Sequence, residues 1–283
     1  MHINGKTCIV AVLGHPALHT ASPAMHNAAF DALGLNWCYV AFDVEPANFR
    51  TALHGLAMLG VVGVNLTLPH KIVAMRFVNR FEESARQLGA VNTLRFSIVH
   101  RRPCFHGFNT DGYGLLKALQ KEFSFQPCGK TIAILGCGGA GQGAAIQLAL
   151  AKAKKLILLN RTRSKAFAIA RQIRALKLST MCVFESEPCD LVVQATSLGL
   201  QPSDPLPISR DKLHRFAPTL FFDMIYRPAE TPAMGLAREH GCRTANGLSM
   251  LLHQGAKAFE IWTKRKAPLE VMRRALKKEV YGR

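Results

Sequence analysis

Lys71 follows directly on Asn65-Leu66-Thr67-Leu68-Pro69-His70, a strand-like run in which Asn65 and Thr67 fall on one face and Pro69 ends the extended stretch. Further along, Ala90-Val91-Asn92-Thr93 and Asn109-Thr110-Asp111-Gly112 set amides, hydroxyls and a carboxylate at the edges of apolar segments. Thr20-Ala21-Ser22-Pro23 puts two more hydroxyls just ahead of a helical pattern. Singly, each piece reads as a helix cap, a turn or a solvated lysine. Together they gather an ammonium, a carboxylate, two amides and several hydroxyls, a set that suits a small polyol carrying a carboxylate.

A second constellation is the turn Gly136-Cys137-Gly138-Gly139-Ala140-Gly141, which follows a buried-type strand over Thr131–Leu135 and opens a small-residue helix over 141–151. Strand, G-x-G-x-x-G and helix in that order form a dinucleotide-binding unit. Gly136 permits the tight turn, Gly138 lets the backbone approach a pyrophosphate, and Gly141 lets the helix pack closely. The helix N-terminus offers its unpaired N–H groups to the anion. At the end of the next strand, Lys155–Leu159, an NAD site would carry Asp or Glu against the ribose 2′-hydroxyl. This chain has Asn160-Arg161-Thr162-Arg163-Ser164-Lys165 instead. Arg161 can lie across the adenine face, Thr162 can donate a hydrogen bond, and Lys165 or Arg163 can pair with a 2′-phosphate, so the pattern implies NADP(H). The bland alternative, a basic helix start facing solvent, sets positive charge against the helix dipole unless an anion is bound.

The elements that must hold these residues follow from the hydrophobic rhythm. Apolar runs at 7–13, 37–44 and 63–67 alternate with helical patterns at 23–33 and 48–59, which argues for an α/β domain with a mainly parallel sheet. A second α/β block of Rossmann type starts at Lys130, with further strands at 190–194 and Leu220–Asp223. The stretch 123–129, containing Pro127, resembles a linker, and the tail from 248 to 281 reads as two amphipathic helices separated near Ala267-Pro268. The expected division is a substrate domain over 1–112, a cofactor domain over 113–246, and helices over 247–283 packing back toward the first domain.

Composition narrows the classes. With 283 residues, 49% hydrophobic and 19% charged, the chain is globular and long enough for two domains. No apolar run approaches the roughly 20 residues that span a bilayer, and the start lacks the features of a secretory leader. Eight scattered cysteines without a C-x-x-C pair read as reduced thiols in a cytoplasmic protein. Cys137, inside the turn, reads as a small filler. His15, His19, His26, His70 and His253 lack metal-ligand spacing and read as packing or pocket-wall residues, so no metal is expected. The formal net charge of +18 attracts anions in general, but no aromatic residues interleave with the basic runs as nucleic-acid binding would need.

The ordered set of motifs resembles the shikimate dehydrogenase family over essentially the whole chain. Its pieces are Thr20 to Pro23, Asn65 to Lys71, Ala90 to Thr93, Asn109 to Gly112, Gly136 to Gly143 and Asn160 to Thr162. Asp223-Met224-Ile225-Tyr226 and Gly247-Leu248-Ser249-Met250-Leu251 with Gln254 complete it. The resemblance implies reversible, NADP(H)-dependent reduction of 3-dehydroshikimate to shikimate in aromatic amino acid biosynthesis, by a monomer or homodimer. It implies Lys71 and Asp111 as the catalytic pair, Thr20 and Ser22 at the substrate carboxylate, and Asn65, Thr67, Asn92, Asp111 and Gln254 at the ring hydroxyls. Tyr226 would lie near the substrate from the cofactor side. Gly136, Gly138, Gly139, Ala140, Gly141, Gly143, Asn160, Arg161, Thr162, Lys165, Thr196, Met224 and Gly247 would contact the cofactor.

Three positions depart from the family pattern: Thr20 for the first serine, Gln194 for an asparagine, and Asn246 for an aspartate. The nearest rival is a quinate/shikimate dehydrogenase, which often uses NAD; the basic run at Asn160 argues against NAD. A rival of another class is a non-catalytic sensor of quinate or shikimate, against which the retention of both Lys71 and Asp111 speaks.

Overall fold

In the computed structural model the chain divides into two compact units, Met1–Gly114 with Leu252–Arg283, and Leu115–Leu251. The structure describes residues 3–17 and 19–282. Met1 and His2, on which the reading of the N-terminus partly fell, lie outside the described residues.

The first unit contains β1 (Cys8–Gly14), α1 (Ser22–Ala32), β2 (Trp37–Asp43), α2 (Phe49–Met58), β3 (Gly63–Leu66), α3 (His70–Val73), β4 (Arg80–Phe81), α4 (Glu83–Leu88), β5 (Thr93–Val99) and β6 (Arg102–Phe108). Its sheet runs in the order β2-β1-β3-β5-β6-β4. β2, β1 and β3 are parallel, with Val10–Leu13 buried as expected for strands covered on both faces. β5 returns antiparallel to β3, and β6 antiparallel to β5. That hairpin has no Asn-Gly or Gly-X signal: its turn residues, His100 and Arg101, both take left-handed φ, 48° and 61°, which a reader of sequence expects of glycine or asparagine. The register places Val12 beside Asn65, Asn65 opposite Thr93, and Thr93 opposite Phe108. The carboxyl ends of β1 and β3, the start of β5 and the end of β6 therefore meet at one sheet edge, the edge at which open α/β sheets bind ligands.

The second unit begins within α5 (Asp111–Phe123) and continues with β7 (Thr131–Leu135), α6 (Gly139–Leu150), β8 (Lys155–Leu159), α7 (Arg163–Ala175), β9 (Met181–Val183), β10 (Leu191–Gln194), α8 (Arg210–Phe216), β11 (Leu220–Asp223), α9 (Pro232–Glu239) and β12 (Arg243–Asn246). All its strand pairs are parallel, in the order β12-β11-β10-β7-β8-β9. This is the doubly wound dinucleotide-binding order, whose topological switch lies between β7 and β10. The stretch 123–129 is no linker. Phe123 and Phe125 are buried, Cys128 bridges to Ala153, and the loop lies wholly inside this unit, so its proline and glycine mark a turn.

The chain leaves the second unit within α10 (Leu248–Thr263) and ends in α11 (Leu269–Tyr281). Phe259 and Trp262 of α10 join Phe30 of α1 and Tyr39 of β2 in an aromatic cluster, and the Trp262 indole donates to the Leu94 carbonyl at 3.0 Å. Gly63 makes room for that indole: a Cβ there would lie 2.5 Å from Trp262 Nε1 and 2.2 Å from the Leu94 oxygen.

Candidate functional site

Pro69 ends the extended run after β3, and the chain turns at once into α3, which carries Lys71. The Lys71 carbonyl accepts from Val91 N–H at 3.0 Å, fixing its backbone beside the approach to β5. Its Nζ lies 2.6 Å from Asp111 Oδ2, with both side chains 29% exposed. That partial exposure leaves both charges hydrated and spares the pair most of the cost of a buried ion pair. Asp111 is the first residue of α5, where its charge also favours the helix N-terminus. Its other oxygen accepts from Asn92 Nδ2 at 2.8 Å.

Asn92 is the hub of the cluster. Its amide group donates to Thr110 Oγ1 at 2.9 Å and to Asp111, while its oxygen accepts from Thr110 N–H at 2.8 Å and Thr93 Oγ1 at 3.0 Å. Asn65 is similarly engaged: its Nδ2 donates to the Asn92 carbonyl and to Thr93 Oγ1, and its oxygen accepts from the Tyr39 hydroxyl at 2.8 Å. Tyr39 also bonds Ser22, and burial pushes the Tyr39 hydroxyl pKa up, keeping it a neutral donor. Ser22 in turn accepts from Thr20 Oγ1 at 3.2 Å. A continuous chain of hydrogen bonds thus runs from Thr20 through Ser22, Tyr39, Asn65, Thr93 and Asn92 to Asp111 and Lys71. Gln254 Oε1 closes on Thr110 and Asn92 at 3.5 Å each. Thr67 sits just beyond β3, with its N–H on the Leu13 carbonyl at 2.9 Å.

One unit therefore brings Thr20, Ser22, Asn65, Thr67, Lys71, Asn92, Asp111 and Gln254 to one edge of one sheet. Tyr226 alone of the expected substrate set belongs to the other unit. Sequence reasoning left out Tyr39, Thr93 and Thr110 as site residues. Thr93 and Thr110 stand inside the quoted motifs, whereas Tyr39 is one aromatic residue in an apolar strand and carries no local signal.

In the second unit Gly136 adopts φ 95°, a conformation open to glycine. A Cβ on Gly141 would lie 1.8 Å from the Gly136 carbonyl oxygen, so this glycine lets α6 start against the turn itself. Gly138, Gly139 and Gly143 have nothing within 4 Å of a built Cβ. Those open positions at the start of α6 form a cradle that a side chain would fill, as a close-approaching pyrophosphate requires. Asn160 braces the turn, accepting from Cys137 N–H at 2.9 Å and donating to the Thr162 carbonyl. Burial pushes the Cys137 thiol up to about 11, which keeps it protonated and unreactive at neutral pH.

A cleft of about 890 Å³ opens beside this turn, lined by Gly136, Asn160 to Arg163, Lys165, Phe184 to Ser186 and Thr196 to Leu198. Gln194 shapes its far wall, accepting from Thr196 N–H at 2.5 Å and donating to the Leu198 carbonyl at 3.0 Å. The longer side chain standing in place of asparagine thus serves the loop. The volume is of the size that small-molecule sites occupy, and the cationic lining suits the phosphates of a dinucleotide. Gly247 packs on the β11 end, where a Cβ would lie 2.2 Å from the Met224 carbonyl oxygen.

Asp223, fully buried at the end of β11, accepts from Thr231 Oγ1 at 2.7 Å and Ile225 N–H at 2.9 Å. Desolvation nonetheless raises its pKa from 3.8 to about 6. The native protein then binds this proton more tightly than the unfolded chain. The resulting stabilisation is complete below about pH 4 and is lost as pH rises through 6, a change on the order of 3 kcal/mol. Relative to Asp223→Asn, the wild-type unfolding free energy should fall by about that amount between pH 4 and 7. Denaturant titrations of both proteins across this range measure it, and parallel pH profiles would rule it out.

His26 and His70 are buried, His26 stacked on Tyr39 and His70 bonded to the Val44 carbonyl; His15 pairs with Asp43 at 2.6 Å. Among the described residues no group of three His, Cys, Asp or Glu side chains is placed to hold a metal ion, and no helix is long and apolar enough to cross a membrane.

Comparison with known proteins bears on the same residues. Three family models match in succession: the shikimate dehydrogenase substrate binding domain over residues 12–94, shikimate/quinate 5-dehydrogenase over 117–224, and the shikimate 5′-dehydrogenase C-terminal domain over 247–277. A curated shikimate dehydrogenase (NADP(+)) from Methanopyrus kandleri is 40% identical over 285 residues, covering 97% of this chain and 96% of that protein. A crystal structure of a shikimate dehydrogenase in complex with NADP+ superposes with a TM-score of 0.88 at 36% identity, covering 99% of this chain and 98% of the other. A 5-ketofructose reductase of Gluconobacter, solved free of ligand, gives 0.85 at 32% identity, with 97% and 99% covered. This chain belongs to the shikimate dehydrogenase family.

Proposed function

We propose that this protein is an NADP-dependent shikimate dehydrogenase, which reversibly reduces 3-dehydroshikimate to shikimate in aromatic amino acid biosynthesis. The observation that carries the reading is the Lys71–Asp111 pair, 2.6 Å apart and partly exposed within a saturated amide and hydroxyl network. The first unit is the substrate half and the second the cofactor half, in the cytoplasm.

NADPH supplies the hydride. As the substrate carbonyl carbon becomes tetrahedral its oxygen gains negative charge, and the Lys71 ammonium stabilises that charge and delivers the proton. Asp111 fixes the ammonium and accepts a hydrogen bond from the neighbouring ring hydroxyl. The side-chain N–H donors of Asn65 and Asn92 are already consumed inside the protein and the Asn92 oxygen is taken by Thr110 and Thr93, so Asn92 contributes by fixing Asp111, and Asn65 by bracing Asn92 and Thr93. Thr20 and Ser22, linked to each other, offer hydroxyls to the ring carboxylate. The pyrophosphate is held by the turn from Gly136 to Gly141, and the 2′-phosphate by Arg161, Thr162 and Lys165. Ala140, Gly143, Thr196, Met224 and Gly247 line the rest of the cofactor path.

A steady-state assay of shikimate, quinate and reduced 5-ketofructose, each with NADP and NAD, tests this reading. Shikimate with NADP should give the highest kcat/KM. A preference for quinate or the ketofructose couple would replace the substrate, and no turnover in any combination would leave a binding protein.

A further inference from the structure

We propose that α8 carries a second set of ligands for the cofactor's 2′-phosphate, with Lys212 and Arg215 acting alongside Arg161, Arg163 and Lys165. The inference rests on the NADP reading and extends the site to an element that the glycine and Asn160 motifs do not reach. Lys212 and Arg215 line the same cleft as the residues that follow β8. They stand three apart on α8 and so share one helix face. The opposite side of the helix is anchored by Leu213 and Phe216, both fully buried, and its start is capped by Ser209 Oγ, which accepts from Lys212 N–H. The two cations are thus presented from a fixed element.

Charge in the cleft is unbalanced. Five cations line it, Arg161, Arg163, Lys165, Lys212 and Arg215, against the single carboxylate of Glu185. Among the described residues none of the five forms an ion pair, whereas Arg210, on the same helix, pairs with Glu239 at 2.7 Å. Like charges gathered in one concavity repel one another, and a bound polyanion relieves that repulsion. The lining also says which anion. Of the glycine turn only Gly136 reaches the cleft, and Gly138, Gly139 and Ala140 at the start of α6 do not. The basic wall therefore faces the region of Asn160 to Lys165, where the adenosine end belongs, and away from the pyrophosphate cradle.

Calorimetric titration of the full chain with adenosine 2′,5′-bisphosphate and with adenosine 5′-monophosphate at low ionic strength tests this. The double variant Lys212→Ala/Arg215→Ala should bind the bisphosphate about five- to tenfold more weakly and the monophosphate within about twofold of wild type. Arg210→Ala, which removes a charge from the same helix outside the cleft, should leave both affinities unchanged. Equal losses for the two probes, or a matching loss in Arg210→Ala, would assign the effect to the general field and overturn the proposal. A double variant that still discriminates as wild type does would overturn it while leaving the NADP reading intact. A wild-type protein that binds both probes equally would overturn the two together.

Discussion

Lys71→Ala lowers kcat for shikimate oxidation with NADP by about a thousandfold, while the KM for shikimate changes by less than about tenfold. The asymmetry follows from what the side chain does at each stage. In the ground state the substrate's hydroxyls and carboxylate meet many groups, of which Lys71 is one. Charge on the reacting oxygen appears only as hydride moves, and no other ammonium belongs to the Thr20-to-Asp111 network that could meet it. The substitution also leaves its neighbours in place. Asp111 keeps its bond from Asn92, and its 29% exposure lets water replace the lost Nζ. The backbone tie from Val91 N–H to the residue-71 carbonyl does not depend on the side chain. Thermal unfolding should therefore be close to wild type, which separates lost chemistry from lost fold. A raised KM with turnover preserved would remove Lys71 from the proton path and leave it a binding residue.

The parts of this site that sequence made legible are those whose chemistry is local. The glycine turn is readable because strand, turn and helix are contiguous, and the basic run after β8 because it replaces a carboxylate at a fixed place. Lys71 and Asp111 are readable as candidates, but their meeting is set by strand register, which brings the β3 end beside the starts of β5 and α5. Register over 40 residues of sequence leaves no local trace. Tyr39 illustrates the limit. Its hydroxyl joins Ser22 to Asn65, yet along β2 it is one more apolar-looking residue, and only the pairing of β2 with β1 and β1 with β3 makes it polar in function. The segment 123–129 failed in the other direction. Its proline and glycine are genuine turn signals, and burial of Phe123 and Phe125 turned what composition suggests is a tether into packed structure. The units divide inside α5 and α10, where helical periodicity runs on without interruption.

Two glycines of one turn should respond oppositely to the same added methyl group. Gly138→Ala places Cβ in open space, at φ −77° and ψ −170°, a conformation alanine adopts freely. Unfolding free energy should stay within about 0.5 kcal/mol of wild type. Affinity for NADP should nonetheless fall about a hundredfold, because the methyl group occupies the approach to the α6 N–H groups and costs about one charge-assisted hydrogen bond. Gly141→Ala drives Cβ to 1.8 Å from the Gly136 oxygen, a backbone atom that cannot rotate away. Gly136 has little freedom to yield, since it holds a left-handed φ of 95° and even a Cβ added to it would come within 3.0 Å of Thr196 N. The start of α6 must move instead, and stability should drop by about 1–3 kcal/mol together with cofactor binding. Denaturant unfolding paired with NADP titration reads both effects on each variant. If Gly138→Ala binds NADP as wild type does, the open cradle is not where the pyrophosphate lies. If Gly141→Ala is as stable as wild type, the contact with Gly136 does not hold the turn. The pair distinguishes a glycine kept for the ligand from one kept for the fold, a distinction that the motif's spelling alone does not make.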